Sequence, residues 1–327
     1  MKRLLVPCLA ALALVVSACG GGSSSSSSSG GSSSGGSERI ALVTGDNHDP
    51  FYVTMNKGAQ AAAKKYGVKV TWQGPATFEA QPQISILDAL LSSKPDALLV
   101  APTDTKALVG TLGQFSSAKI PVITVDTDVN QPQVRLGNIT SNNQLGGKLA
   151  VDYFVKKLPS GAKVAFIGGP PGVFTIDERQ KGFEAAVKGS GLTPLPAQHG
   201  QDDDANTATA LVNALMQRNP DLKGIFASDT AYGAGAATAV QNAGKAGKIQ
   251  IVAFDAEPDE VQALRRGTIQ ALIVQKAYDM GVQAVTYAVK HLRNRQPVPK
   301  ATNPDYVIAT KANIDSPAVK KYIYAQK

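Results

Sequence analysis

Cysteine is missing from the last 290 residues of this 327-residue chain, whose two cysteines are Cys8 and Cys19. That absence excludes a disulfide framework, a cysteine zinc site and a thiol nucleophile from residues 38–327. Histidine is almost as scarce: His48, His199 and His291 stand far apart with no His-Glu-x-x-His spacing, so no metal centre is expected. The phosphate-loop pattern Gly-x-x-x-x-Gly-Lys-Ser/Thr and the nucleophile elbow Gly-x-Ser-x-Gly are also missing. The expectation is a protein that is not an enzyme and carries no cofactor, although its many carboxylates leave glycoside-processing chemistry as an alternative. No long basic run occurs. Of the formal net charge of +8, Lys2 and Arg3 supply two, and the remaining cations are dispersed among acids, which favours solubility over a nucleic-acid partner.

What is present begins with an address. Met1-Lys2-Arg3 precedes a short apolar stretch, Leu4 to Val16, and then small residues, the pattern of a secretory signal segment over residues 1–18. The run is shorter than the roughly 20 apolar residues that cross a bilayer. Val16-Ser17-Ala18-Cys19 resembles the lipobox of bacterial lipoproteins, which implies acylation of Cys19 and a lipid anchor on the outside of the cell membrane. Residues 20–37 are 7 glycines and 11 serines. Such a segment has no apolar side chain to bury and is expected to be an unstructured tether with a mean reach of ~23 Å.

From Glu38 onward, short apolar runs alternate with amphipathic stretches. Arg39–Gly45, Val68–Trp72, Ala97–Ala101 and Pro121–Val125 read as strands, and Met55–Tyr66, Gln81–Leu91 and Thr105–Ser117 as helices, the first ended by Gly67. A second series repeats the scheme, with helices Asn143–Lys157, Glu178–Lys188, Asn206–Arg218 and Gly233–Asn242. Its strands are Lys163–Ile167, Leu195–Gln198, Gly224–Ala227 and Gln250–Phe254. The apolar run Thr268–Gln275, a helix Tyr278–Lys290 and a last strand Tyr306–Thr310 follow. Nearly continuous apolar strands alternating with helices argue for an α/β fold with parallel sheets covered on both faces. Two similar pieces, each a strand ending in Asp, a helix and another strand ending in Asp, close at Asp126 and Asp255 and argue for two lobes. With no low-complexity linker between them, the lobes are expected to share close crossovers, a hinge and a ligand cleft.

Open parallel sheets bind ligands at the carboxyl ends of their strands. The polar residues there are Asp46 to Tyr52, Thr103-Asp104, Asp126-Thr127-Asp128, Asp229 and Asp255, with Arg179 near a helix start. Carboxylates accept from hydroxyls, arginine donates a fork, and aromatic rings cover the C–H face of a sugar, so the set suits a small neutral polyol held from two sides. Each residue also has a plainer reading. An Asp after a strand is often a helix cap, Phe51 and Tyr52 would serve equally as core, and Trp72 reads as packing.

The segments Asp49-Pro50-Phe51-Tyr52, Gly58-Ala59-Gln60, Pro102-Thr103-Asp104, Ile120 to Asp126, Leu145 to Lys148, Glu178 to Phe183, Phe254-Asp255 and Gln275 resemble, in order, the type I periplasmic sugar-binding proteins, receptors of ABC importers. That resemblance implies two Rossmann-like lobes joined by a three-crossover hinge, one from residues 38–141 plus 276–305 and the other from 142–275 plus 306–327. It further implies ring contacts from Phe51 and Tyr52, hydroxyl contacts from Asp126, Asp255 and Gln275, and a forked donor at Arg179. His48, Asp49 and Asp229 stand where the family commonly has asparagine, and Thr127-Asp128 is more similar to rhamnose and autoinducer-2 binding relatives. The aromatic expected near Gly200 to Asp204 is replaced by acids. The implied partners are a small carbohydrate and the transmembrane subunits of a permease, with the receptor monomeric. A nucleoside or autoinducer-2-like ligand is the alternative within the same receptor class. Sugar-responsive repressors of this architecture carry a helix-turn-helix before the first strand, where this chain has only the export segment and tether.

Overall fold

Unbroken apolar runs become strands and alanine-rich amphipathic stretches become helices along residues 37–324, the part that the computed structural model describes. The export segment, Cys19 and the tether up to Gly36 lie outside the described residues. The first series comprises β1 (Arg39–Val43), α1 (Pro50–Tyr66), β2 (Lys69–Gln73), α2 (Ala80–Ser93), β3 (Ala97–Val100), α3 (Val109–Ser117), β4 (Val122–Val125) and β5 (Gly137–Ile139). The second comprises α4 (Asn143–Lys157), β6 (Lys163–Gly168), α5 (Phe174–Val187), β7 (Thr193–Pro194), β8 (Gln198–His199), α6 (Ala205–Arg218) and β9 (Leu222–Ala227). It continues through α7 (Thr230–Asn242), β10 (Gln250–Phe254), α8 (Pro258–Arg266) and β11 (Ala271–Val274). The chain then adds α9 (Ala277–Asn294), β12 (Ala301–Thr302), β13 (Val307–Thr310) and α10 (Pro317–Lys320).

These strands form two sheets, one lobe each, in the orders β12-β5-β4-β3-β1-β2 and β13-β11-β10-β9-β6-β7. All pairs are parallel except β11 with β13. The chain passes between the sheets three times, after β5, after β11 and after β12. Alternation along each strand explains the continuous apolar runs. Ile40 and Leu42 pack with Met55 and Ala284 on one face of the first sheet, while Ala41 and Val43 pack with Leu87 and Leu112 on the other. In the second sheet Val164 and Phe166 face Val151 and Phe183, and Ala165 and Ile167 face Ala208 and Val240.

Two helix pairs set the depth of the lobes through reciprocal glycines. A Cβ on Gly58 would stand 2.0 Å from Tyr278 O, and one on Gly281 2.0 Å from Met55 O, so α1 and α9 touch backbone to backbone. The same device joins α4 to α5: a Cβ on Gly147 would stand 2.1 Å from Arg179 O, and one on Gly182 2.0 Å from Gln144 O.

Some elements differ from expectation for local reasons. The first helix begins at Pro50, because Asp49 caps it and proline fits the first turn. The third begins at Val109, since Asp104 binds the Lys106 and Ala107 N–H groups and holds that stretch as a turn. In place of a strand over Leu195–Gln198 stand the two short bridges β7 and β8, because Pro194 and Pro196 have no N–H to extend a ladder. Helix α8 is not among the elements expected from the sequence; Val261 and Leu264, one turn apart, bury its apolar face, and Pro258 and acids in its first turn, Arg265 and Arg266 in its last, and Gly267 in the left-handed conformation behind it set its ends.

Candidate functional site

Asp126 and Asp255 each follow the last residue of a strand, β4 or β10, and both adopt positive φ, 63° and 79°. Non-glycine residues rarely occupy this region, and strain of this kind collects at functional sites. Their backbones match as well. The Asp126 N–H donates to Ile139 O at 2.7 Å, and the Asp255 N–H donates to Ile273 O at 2.9 Å, so each residue adds one rung to the neighbouring strand. Both side chains line one cavity between the lobes, with about 500 Å³ of space free of atoms when its open mouth is counted.

The first lobe contributes Asp49, Phe51, Tyr52, Phe78 and Asp126. The rings of Phe51 and Tyr52 meet edge to face at 5.1 Å, and the Tyr52 hydroxyl donates to Asp126 Oδ2 at 2.8 Å. Asp49 both lines the cavity and caps α1, accepting from Phe51 N at 2.7 Å. From the second lobe come Arg179, Asp203, Asp229, Asp255 and Gln275, with Pro170, Val173 and Ile176 as an aliphatic wall. A hydrogen bond from Thr105 N to Gly172 O, 3.1 Å, joins the lobes.

Arg179 is 3% exposed and held on every side. Its Nε donates to Asn143 Oδ1 at 2.9 Å, one NH group donates to Ser228 O at 2.5 Å, and the guanidinium lies 3.6 Å from the Phe254 ring centroid. That NH group is 4.0 Å from Asp255 Oδ2. Asp255 Oδ1 accepts from Gln275 Nε2 at 2.8 Å and from the Tyr324 hydroxyl at 2.6 Å. Asp229 caps α7 through the Tyr232 N–H and accepts from Ser228 Oγ at 2.7 Å.

Five carboxylates and one guanidinium therefore line the described cavity. Burial raises the pKa of Asp126 to about 7, with Arg179 and Tyr52 pulling it back. It raises Asp255, again against Arg179, and Asp229, and it pushes Asp49 and Asp203 well above the carboxylate range with help from neighbouring acids. A half-protonated Asp126 both donates and accepts, as a hydroxyl does.

Eight of the residues marked in the sequence meet here: Asp49, Phe51, Tyr52, Asp126, Arg179, Asp229, Asp255 and Gln275. His48 and Asp128 stand apart. The His48 side chain is exposed, and the residue's backbone N–H donates to Asp46 Oδ1 at 2.7 Å. Asp128 is buried away from the cavity, accepting the Arg135 fork, with Nε at 2.7 Å, and Thr124 Oγ1 at 2.9 Å. Trp72 packs half-buried, its Nε1 donating to Thr44 Oγ1 at 2.8 Å. Phe78, Asp203, Thr230 and Tyr324 complete the surroundings. Asp203 sits in the acidic run after Gly200, whereas Tyr324 and Phe78 carry no motif, repeat or strand-end position that would have marked them.

Residues 40–296 match the periplasmic binding protein domain. The chain is 33% identical over 259 residues to a ribose import binding protein of Salmonella typhimurium, covering 79% of this chain and 86% of that protein. An ABC transporter solute-binding protein from Agrobacterium vitis, solved with α-D-tagatopyranose bound, is 38% identical and superposes with a TM-score of 0.86, covering 88% of this chain and all of that one. A second from the same organism, solved with D-fucose, is 30% identical with a TM-score of 0.83 over 88% of this chain and all of that one.

Proposed function

The chain belongs to the periplasmic binding protein family, and from that premise we propose that it is an extracytoplasmic receptor of an ABC importer that captures a monosaccharide or small polyol in the interlobe cavity. The observation that carries this reading is the pair of strand-end aspartates, Asp126 and Asp255, presented from the two sheets into one cavity with Arg179 beside Asp255 and with Phe51 and Tyr52 in its lining. Acceptors at opposite sides, a forked donor and an aromatic wall match the hydroxyls and C–H faces of one sugar ring. The similar proteins are transport receptors rather than enzymes.

In this mechanism no covalent bond changes. The sugar bridges Asp126 of one lobe and Arg179, Asp229 and Asp255 of the other, so it binds the closed arrangement better than the open one and shifts the population toward it. The permease then reads the closed pair of lobe surfaces. The hinge runs through the three passes, near residues 141–142, 275–276 and 305–306. Cys19 carries the lipid that keeps the receptor at the membrane; no helix of the described residues is long and apolar enough to cross one. Cys19→Ser is expected to release the protein from the membrane fraction, and retention there would contradict the anchor.

A thermal-shift screen tests the ligand class. D-Ribose, D-tagatose, D-arabinose, D-fucose, D-allose and xylitol form the sugar panel, with adenosine and autoinducer-2 as competitors. A ligand of the native state alone raises the melting temperature. The expected result is a shift with at least one member of the panel; a shift with adenosine or autoinducer-2 alone would overturn the carbohydrate assignment.

A further inference from the structure

The C-terminal tail reaches two residues that line the cavity. Beyond β13 the chain is tied to the second lobe by the Arg265–Asp315 ion pair at 2.6 Å and by buried Ile314, and its last described residue is Tyr324, 3% exposed. The Tyr324 N–H donates to Ala256 O at 3.1 Å, and its hydroxyl donates to Asp255 Oδ1 at 2.6 Å. Its ring meets that of Phe51, on α1 of the first lobe, edge to face at 5.5 Å and 68°. One side chain thus touches a cavity carboxylate of the second lobe and a cavity ring of the first.

The hydrogen bonds around Asp255 give that contact a consequence. Oδ1 accepts from both Tyr324 and Gln275 Nε2. This leaves Asp255 Oδ2, 4.0 Å from Arg179, and Gln275 Oε1, buried without a hydrogen-bond partner, as the open acceptors. An aspartate carboxylate turns over a broad torsional range, so two donors on one oxygen decide which oxygen stays free. We propose that Tyr324 is a positioning residue of the ligand site: it holds Asp255 so that Oδ2 and Gln275 Oε1 face the ligand hydroxyls, and through Phe51 it couples that orientation to the approach of the lobes. The ligand half of this inference rests on the carbohydrate reading; the Tyr324–Asp255 bond does not.

Tyr324→Phe keeps the ring and its packing and removes only the donor. Two measurements on the full-length chain separate the two halves. The first is the titration of the Asp255 carboxyl carbon by NMR without ligand. The bond favours the charged form, so its loss is expected to move the midpoint upward. The other charges felt at this site, Arg179, Asp49, Asp126, Asp203, Asp229, Glu257 and Glu260, are left in place. An unchanged midpoint overturns the proposal whether or not a sugar binds. The second is calorimetric affinity for the sugar panel, measured at a temperature where both proteins are fully folded and expected to fall by about tenfold or more, the worth of a hydrogen bond to a charged group. An affinity equal to wild type also overturns it. Failure of the wild type to bind any of the sugars sinks the carbohydrate reading instead, and the titration still decides the role of Tyr324.

Discussion

A carboxyl shut away from water at the end of β4 holds its proton to about pH 7, against an ordinary value of 3.8 for aspartate, because burial penalises the charge more than Arg179 and Tyr52 relieve it. Between those values the folded chain binds more protons at Asp126 than the unfolded chain does, so this residue contributes stability that is full below the unfolded value and fades as pH rises through the folded one. Asp49, Asp203, Asp229 and Asp255 are raised in the same direction. The ligand-free protein is therefore expected to melt at lower temperature as pH goes from about 4 to about 8, and Asp126→Asn, which keeps an acceptor for Tyr52, is expected to flatten that slope. Scanning calorimetry across the range checks this; an equal slope in the variant contradicts the assignment. At this scale much of the site was legible in the sequence. The repeated strand that ends in Asp marked Asp126 and Asp255 because parallel sheets put their strand ends at the cleft. Asp128, two residues from Asp126, was not distinguishable by position: what removes it is Arg135, which folds back to take both its oxygens.

Helices position these side chains through backbone contact. Arg179 lies one turn before Gly182, and Asn143, which receives its Nε, begins α4, so the touching glycines of α4 and α5 fix the guanidinium relative to the cavity. Gly182→Ala would set a Cβ 2.0 Å from Gln144 O. It is expected to cost about 1–3 kcal/mol of stability by forcing the pair apart, and to weaken sugar binding as well. Gly110→Ala, in α3, meets nothing within 4 Å and is expected to be neutral or to gain up to about 1 kcal/mol from helix propensity alone. Denaturant unfolding of the two variants compares them directly, and equal effects would contradict the close-packing account. The long helix α4, capped by Asn142, and the unbroken apolar run of β10 were legible nearly to the residue. The N-terminal turn of α1 and all of α8 were not: a cap and a proline start the first, and the second is so short that Val261 and Leu264, one turn apart, give too brief a recurrence to read.

At the scale of the molecule, two sheets built on one plan face a shared cavity, and every carboxylate and the guanidinium that line it come from a loop at a strand end or from the helix that follows. The two-lobe plan was visible as an internal repeat. The contribution of the tail was not, because contacts such as Tyr324 to Asp255 join residues 69 apart and depend on how the chain returns after its third crossing. A receptor of this design needs groups on both lobes to hold one ligand, and neither lobe alone closes the cavity. Calorimetric titration of the sugar panel into wild type, Asp126→Ala and Asp255→Ala tests that claim most directly. The expected result is saturable binding of at least one sugar by the wild type, weakened by about 2–4 kcal/mol in each variant as a desolvated partner is lost from one lobe or the other. Unchanged affinity in either variant would contradict a site shared between the lobes.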